Sequence, residues 1–201
     1  MRQETQKARR KEIQQAALAL LVQHGYAATT MASVAKAAGA SLETLYKWYG
    51  DKPGLFHAMV LANIEELRDA LVMSTEAFRD PLAAVQEFGP RLIAVLTSEE
   101  VVALNRAAAA DPSGDLGRII AEAGRGSITP QLTALFSRTM GNDDPALITE
   151  IYLGLLLGDL QIRSVIGRMP PPDPVETRQR ADRALEMLLR LFPVYPSKLP
   201  A

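Results

Sequence analysis

Glycine and polar capping residues divide residues 25–57 into a fixed order of short helices and tight turns. Gly25 stands where a helix ends, because glycine takes a positive φ without a steric cost. Gly39 permits a second tight turn, and Ser41 can cap the helix that follows it. That helix carries threonine, tyrosine, lysine and tryptophan on positions that a purely packed helix would fill with aliphatic residues. This order is the layout of a helix-turn-helix.

The rest of the chain also reads as helices. An apolar face with the i, i+3, i+4, i+7 spacing is formed by Ile13, Ala16, Ala17, Leu20 and Leu21. Glycine and proline separate later helical patterns near residues 53–74, 81–97, 99–110, 115–123, 130–140, 145–167 and 175–192. No alternating stretch is long enough for a strand. We therefore expect an all-α fold, with an N-terminal three-helix helix-turn-helix domain and a C-terminal helical bundle.

The stretch from Lys7 to Met59 resembles the DNA-binding domain of the TetR family of transcriptional regulators. The spacing of apolar residues, the helix caps and the glycine turn all match that domain over the whole of this stretch. The resemblance implies that residues 1–52 bind DNA and that residues 53–201 form a domain for dimerisation and effector binding. Most members of the family are repressors. The implied function is therefore a ligand-responsive repressor that acts as a homodimer on a palindromic operator.

Helix 41–49 becomes the recognition helix under this resemblance, and its N-terminal residues face base edges in the major groove. Leu42 can contact a thymine methyl group, and Glu43 can accept a hydrogen bond from cytosine N4. Glu43 also repels phosphate, so it either reads a base or weakens non-specific binding. The expected DNA contacts are Thr29, Thr30, Ser41, Leu42, Glu43, Thr44, Tyr46, Lys47, Trp48 and Lys52.

Several of these contacts have a structural alternative. Thr29 and Thr30 would offer amide and hydroxyl groups to a phosphate at a helix N-terminus. Lys52 would hold another phosphate, as the matching position does in the family. Tyr46 either contacts DNA or closes the small core, and Trp48 packs either on the DNA backbone or on the protein surface.

Charge is distributed unevenly along the chain. Residues 1–54 contain eight Lys or Arg and four Asp or Glu, whereas residues 55–201 contain fourteen and nineteen. A basic end on an acidic body suits a protein that presents one end to a polyanion. Five basic residues precede the first helical pattern and form either an arm in the adjacent minor groove or a disordered tail: Arg2, Lys7, Arg9, Arg10 and Lys11.

The last two predicted helices, 145–167 and 175–192, are expected to form the homodimer. Gly154 and Gly158 lie four residues apart and remove side chains from one stripe of the first of these helices. Another helix can approach that stripe closely, either from the second copy or from the same chain. The family builds its four-helix dimer interface from two such helices of each subunit.

An unidentified small-molecule effector is expected between the helices of the second domain. Such pockets are largely apolar with a few polar groups. Arg106 either binds an anionic ligand, pairs with an internal acid or reaches the surface, because an unpaired buried charge is costly. The expected ligand contacts are Phe88, Leu92, Asn105, Arg106, Phe136, Met140 and Tyr152.

Other functional classes receive little support from the sequence. The absence of cysteine excludes disulfides and thiolate sites, and neither of the two histidines has partners for a triad or metal set. We expect no catalytic residues, no metal and no cofactor, and therefore no enzyme. The polar N-terminus and the short apolar run at 151–158 predict a cytoplasmic protein with no membrane association. A helical interaction protein and an architectural DNA-binding protein without an effector are the alternatives.

Overall fold

The computed structural model describes residues 2–78, 80–123, 125–140, 144–167 and 169–192. Every regular element within these ranges is an α-helix, which confirms the predicted all-α fold class. The helices are α1 (Arg2–Ala28), α2 (Met31–Ala37), α3 (Leu42–Tyr49), α4 (Lys52–Ala77), α5 (Pro81–Leu96), α6 (Glu99–Ala109), α7 (Asp115–Ala123), α8 (Arg125–Ser137), α9 (Pro145–Leu157), α10 (Leu160–Val165) and α11 (Pro174–Leu191).

The helices form two compact units. The first contains Met1–Ala62 and Glu100–Gly124, and the second contains Asn63–Glu99 and Arg125–Ala201. Residues of α4 belong to both units, and α7 belongs to the first. This grouping concerns compactness, whereas the predicted division after residue 52 separates DNA binding from dimerisation and effector binding. That functional division stays a prediction.

In the first unit, α1 packs on α2 and α2 packs on α3. Ile13, Val34 and Leu45 contribute one fully buried side chain from each of these three helices. Gly25 interrupts α1 with φ 77° and ψ 172°, as its position in the sequence predicts. The backbone of α1 is helical from Arg2 onward, so the basic residues ahead of Ile13 are part of this helix. Of the two alternatives for these residues, the disordered tail is therefore wrong.

In the second unit, α5 packs on α8, α9 and α11, and α9 packs on α8 and α11. Phe88, Phe136 and Tyr152 are fully buried. The rings of Phe136 and Tyr152 meet edge to face, with their centroids 5.4 Å apart. These aromatic side chains form the centre of a helical bundle, as predicted for the C-terminal part of the chain.

The helix predicted over residues 145–167 is broken in two. Gly158 has φ 48° and ends α9, and α10 begins two residues later. Arg180 of α11 donates hydrogen bonds from Nε to the carbonyl oxygen of Leu156 at 2.6 Å and from Nη2 to that of Leu157 at 3.0 Å. These bonds satisfy carbonyl groups that the end of a helix leaves without partners. The prediction of one continuous helix is wrong because the residue that caps the break lies in another helix.

Gly89, inside α5, allows close packing between three helices. A Cβ atom at this position would lie 2.8 Å from Cβ of Ala181 and 2.9 Å from Oη of Tyr152. We expect Gly89→Ala to lower the free energy of unfolding by about 1–3 kcal/mol through overpacking, although alanine favours a helix by about 1 kcal/mol. Urea unfolding of both proteins measures the difference. Gly117→Ala in α7 is the matched control, since open space surrounds that position and only the helix preference applies. A more stable Gly89→Ala protein would contradict the packing argument.

Candidate nucleic-acid interface

The helix α3 is held at both ends by local structure. Ser41 caps its start, because the backbone amide of Thr44 donates to Oγ of Ser41 at 3.0 Å. Gly50 ends it with φ 79°, a conformation that favours glycine. Leu45 fixes the helix to the core with a fully buried side chain. The sequence therefore defines a short helix with fixed ends and with one face left for other contacts.

The exposed face of α3 carries four different chemical groups. Leu42 is 41% exposed and Tyr46 is 51% exposed, and Glu43 and Lys47 are also exposed. The spacings of three and four residues place these side chains side by side on the helix surface. The face offers an apolar contact, a carboxylate, a phenol and an ammonium group. Groove readout uses the same mixture of apolar contacts and hydrogen-bonding groups.

The two other predicted contacts in this helix, Thr44 and Trp48, are half-buried. Oγ of Ser41 and Oγ1 of Thr44 share a hydrogen bond of 2.7 Å, so both hydroxyls take part in the cap. The guanidinium carbon of Arg10 lies 5.7 Å from the centroid of the Trp48 ring. Trp48 thus lies against Arg10 of α1, and its contact with the DNA backbone stays a prediction. The hydroxyl of Tyr49, the last residue of α3, is buried.

Thr29 and Thr30 differ in their surroundings. Thr30 is exposed and caps α2, with its Oγ1 accepting a hydrogen bond from the Ser33 amide at 3.1 Å. Thr29 is only 1% exposed, and its Oγ1 donates to the carbonyl oxygen of Gly25 at 2.8 Å. The Thr29 hydroxyl therefore supports the end of α1 and does not lie at the surface. Thr30 lies at the surface, but its amide and its hydroxyl both donate to Oγ of Ser33, at 3.0 and 3.1 Å, so its phosphate contact stays a prediction.

Lys52 is bound within its own unit. Its Nζ donates to the carbonyl oxygens of Tyr26 at 2.8 Å and Ala27 at 3.4 Å, and lies 4.1 Å from the centroid of the Tyr26 ring. An ammonium group has three donor hydrogens, so these two bonds leave one for another acceptor. Lys52 stabilises the last turn of α1 whether or not it also contacts a phosphate.

The electrostatics around Lys52 keep the neighbouring phenol neutral and the neighbouring acid charged. Burial raises the pKa of Tyr26, and the charges of Asp115, Asp111 and Asp51 raise it further. The pKa of Asp111 is lowered overall: desolvation raises it, but hydrogen bonds from Ser113 and from the Leu116 amide and the charge of Lys52 outweigh this effect. Burial likewise raises the pKa of Tyr49.

Arg9 was predicted only as part of a minor-groove arm or a tail, yet it contacts the turn of the helix-turn-helix. Its Nη2 donates to the carbonyl oxygens of Ala38 at 2.9 Å and Gly39 at 2.7 Å. These partners lie 29 and 30 residues away along the chain, so no local pattern in the sequence indicates the contact. Its neighbour in sequence, Arg10, lies over the ring of Trp48, near the C-terminal end of α3.

The predicted ligand contacts are divided between the two units. Phe88, Leu92, Phe136, Met140 and Tyr152 are buried in the second unit. Asn105 and Arg106 lie in α6 of the first unit. The structure therefore gathers five of the seven residues into one bundle.

The polar groups of this predicted set are differently placed. Arg106 is exposed, which favours the surface position among its three alternatives. Asn105 is half-buried and donates from Nδ2 to the carbonyl oxygen of Val101 at 2.8 Å. In the bundle, Oη of Tyr152 donates to the carbonyl oxygen of Val85 at 3.4 Å, and burial raises the pKa of this phenol. Tyr152 is thus a neutral polar group among apolar side chains.

In the part of the chain that the structure describes, no three His, Asp or Glu side chains are grouped as a metal ion would require. None of the helices in the described ranges is long and apolar enough to cross a membrane.

Family models match both parts of the chain. The model of bacterial regulatory proteins of the tetR family matches residues 13–59. The model of the C-terminal domain of AefR-like transcriptional repressors matches residues 83–193, more than half of the chain. No curated protein gives a significant sequence match.

Solved structures share the fold over nearly the whole chain. A protein from Mesorhizobium loti MAFF303099, described as a TetR-family transcriptional regulator, is 29% identical with a TM-score of 0.73, and the match covers 92% of this chain and 97% of that one. A TetR transcriptional regulator from Agrobacterium tumefaciens is 29% identical with a TM-score of 0.70, covering 94% and 98%. The flavonoid-responsive regulator FrrA is 24% identical with a TM-score of 0.68, covering 92% and 97%, and at this identity it shows the common fold alone.

The matched models, the fold and the exposed face of α3 agree on one assignment. Proteins of this class are DNA-binding transcription factors and not enzymes. The chain belongs to the TetR family of transcriptional regulators.

Proposed function

We propose that this protein is a ligand-responsive repressor that binds a palindromic operator as a homodimer. The exposed face of α3 is the single observation that carries the proposal. Leu45 is fully buried between Leu42 and Tyr46, which are 41% and 51% exposed. These two side chains share the exposed face with Glu43 and Lys47, and the four together offer the apolar and hydrogen-bonding groups that groove readout uses. The operator's major groove is the partner that fits, because it admits a helix of this size.

Each exposed residue of α3 has a distinct proposed role. Leu42 contacts a thymine methyl group and Glu43 accepts from a cytosine amino group, because these groups lie at the N-terminal end of the helix. Tyr46 and Lys47, one turn later, contact phosphates or bases. Thr30 at the start of α2 contributes a phosphate contact. Such a protein acts in the compartment that holds its DNA, the bacterial cytoplasm.

The homodimer is proposed to form through α9, α10 and α11. These helices and their ends expose six large apolar side chains: Leu147, Ile162, Ile166, Val175, Met187 and Leu191. Gly154 of α9 is exposed, and a Cβ atom at this position would have no neighbour within 4 Å. Apolar surface of this kind favours a protein partner, and a two-fold dimer presents two copies of α3 to two half-sites one helical turn apart.

The effector is proposed to bind within the bundle of the second unit. Phe88, Leu92, Phe136 and Met140 provide apolar surface, and Tyr152 provides a neutral phenol. An effector releases the operator only if it binds the DNA-incompetent conformation more tightly, and DNA then weakens effector binding by the same factor. Since residues of α4 belong to both units, a shift of this helix would carry the change from one unit to the other.

Selection of bound fragments from the source genome by the purified protein tests the proposal. The selection is carried out at near-physiological salt with excess competitor DNA, since non-specific binding falls steeply with salt. We expect a palindrome whose half-sites lie about one helical turn apart. Salt-sensitive binding with no sequence preference would replace the proposal with an architectural role, and no DNA binding would leave a helical interaction protein.

A further inference from the structure

Arg9 of α1 lies where it can control the direction of α3. Its guanidinium group donates to the carbonyl oxygens of Ala38 and Gly39, at 2.9 and 2.7 Å, in the turn that joins α2 to α3. The cap of α3, Ser41, follows two residues after Gly39. The turn therefore connects a side chain of α1 directly to the start of the helix proposed to read the operator.

The position of Arg9 is itself fixed by a neighbour. Glu12, three residues further along α1, accepts a hydrogen bond from Nη1 of Arg9, which leaves Nη2 for the two carbonyl groups. A planar guanidinium presents its donors in a fixed geometry, so a single side chain can hold several acceptors in register. Lysine has the same charge but no such planar set of donors.

The contacts of Arg9 order a turn and contribute little to the core. Its side chain is 35% exposed and that of Glu12 is 57% exposed. Gly39 is exposed and Ala38 is half-buried, so water can solvate their carbonyl groups if the side chain is shortened. Loss of these bonds should loosen the turn while leaving the buried side chains of the three helices in place.

We infer that Arg9 is a positioning residue for operator recognition, which acts by fixing the α2–α3 turn and not by binding a phosphate. This inference rests on the proposed operator binding through α3. A charge that binds phosphate raises the affinity for all DNA sequences alike. A contact that orients α3 raises the affinity for the operator alone. The two roles therefore differ in the quantity that each variant changes.

Arg9→Lys tests the inference, because it keeps the charge and removes the planar donor set. We expect a loss of about tenfold at each half-site, the effect of losing one hydrogen bond to a charged group, and so a fall of about a hundredfold in operator affinity of the dimer. Affinity for unrelated DNA and the slope of log K against log salt should be unchanged. Amide hydrogen exchange at Ala40 and Thr44, on either side of the Ser41 cap, should become faster. Thermal unfolding provides the check that the fold is intact.

Two further variants test the support of Arg9 and the effect of charge alone. Glu12→Gln leaves Arg9 in place but weakens its support, so it should lower operator affinity less, and its effect should not add to that of Arg9→Lys. Lys11→Gln removes a charge from an exposed position on the same helix. Its effect should fall equally on the operator and on unrelated DNA.

Three results would overturn the inference. Unchanged operator affinity in Arg9→Lys, even with faster exchange at the turn, would show that the contact has no role in recognition. Arg9→Gln, which also removes the charge, tests the phosphate role directly: an equal loss of affinity for all DNA and a smaller salt slope in this variant would make Arg9 a phosphate contact. A wild-type protein without any operator preference would reject the proposed function, and the positioning role with it.

Discussion

The double variant Ile162→Glu, Ile166→Glu is expected to sediment as a single chain of 21.9 kDa and to bind the operator roughly 10²–10⁴-fold more weakly. Both side chains are large, apolar and more than half exposed, at 56% and 61%. In a two-fold interface every substitution occurs twice, so four carboxylates would be placed in the apolar contact. A monomer then binds one half-site at a time. It loses the increase in affinity that a dimer gains by binding two half-sites together.

The exposed valine Val72 of α4 supplies a matched control for this experiment. It is 47% exposed in the second unit and lies outside the helices proposed to form the dimer. Val72→Glu adds one such carboxylate to an exposed aliphatic position outside the proposed interface, so the dimer and its operator affinity should be retained. Analytical ultracentrifugation and a binding titration measure both properties. A double variant that remained dimeric and bound DNA normally would show that the dimer interface does not include α10.

Local signals in the sequence were sufficient to predict the helix-turn-helix. Thr30 and Ser41 cap the two short helices, and Gly25 and Gly39 take positive φ values at the ends that the sequence assigns to them. A cap or a glycine turn depends on side chains within a few residues, and such patterns are visible in one dimension. The buried position of Leu45 follows from the same helical periodicity.

Contacts between distant residues account for what the sequence left unpredicted. Arg180 caps the carbonyls of Leu156 and Leu157 and so supports the break at Gly158, within the helix predicted as continuous. Arg9 holds the α2–α3 turn from 29 residues away. Arginine residues of this kind look like solvated charges in a sequence, because their acceptors are backbone carbonyls that any residue supplies.

The burial of individual polar side chains was also predicted poorly from the sequence. Arg106 interrupts an apolar pattern and so resembles an inward-facing residue, but it is exposed. Thr29 stands beside the cap residue and resembles a second surface hydroxyl, but it is 1% exposed and bonded to Gly25. For Arg106, a rotation of α6 by one position reverses the environment of the side chain, and sequence periodicity does not fix the rotation that finely. Thr29 lies between α1 and α2, where no periodic pattern indicates burial.

Lys47→Ala and Tyr46→Phe in α3 are expected to weaken operator binding while leaving the dimer intact. Both residues are exposed, so their substitution should change the stability of the fold by no more than about 0.5 kcal/mol. A loss of about 1.4 kcal/mol at each half-site for Lys47→Ala would occur twice in the dimer and lower operator affinity about a hundredfold. Tyr46→Phe removes only a hydroxyl group and should cost less.

The salt dependence of binding separates the roles of these two side chains. If Lys47 neutralises a phosphate, Lys47→Ala should reduce the salt slope by about one for each half-site and weaken binding to all sequences. If Tyr46 donates to a base, Tyr46→Phe should leave the slope unchanged and relax the preference at one position of each half-site. Fluorescence anisotropy titrations on the operator and on an unrelated duplex, at several salt concentrations, supply both numbers.

Lys36→Ala is the matched control for the loss of one positive charge. Lys36 is exposed on α2, outside the α3 face, and its removal should change operator affinity far less than that of Lys47. Equal effects of the two alanine variants would mean that binding depends on the total charge of the basic unit and not on the face of α3. The face with Leu42, Glu43, Tyr46 and Lys47 would then lose its role as the element that reads the operator.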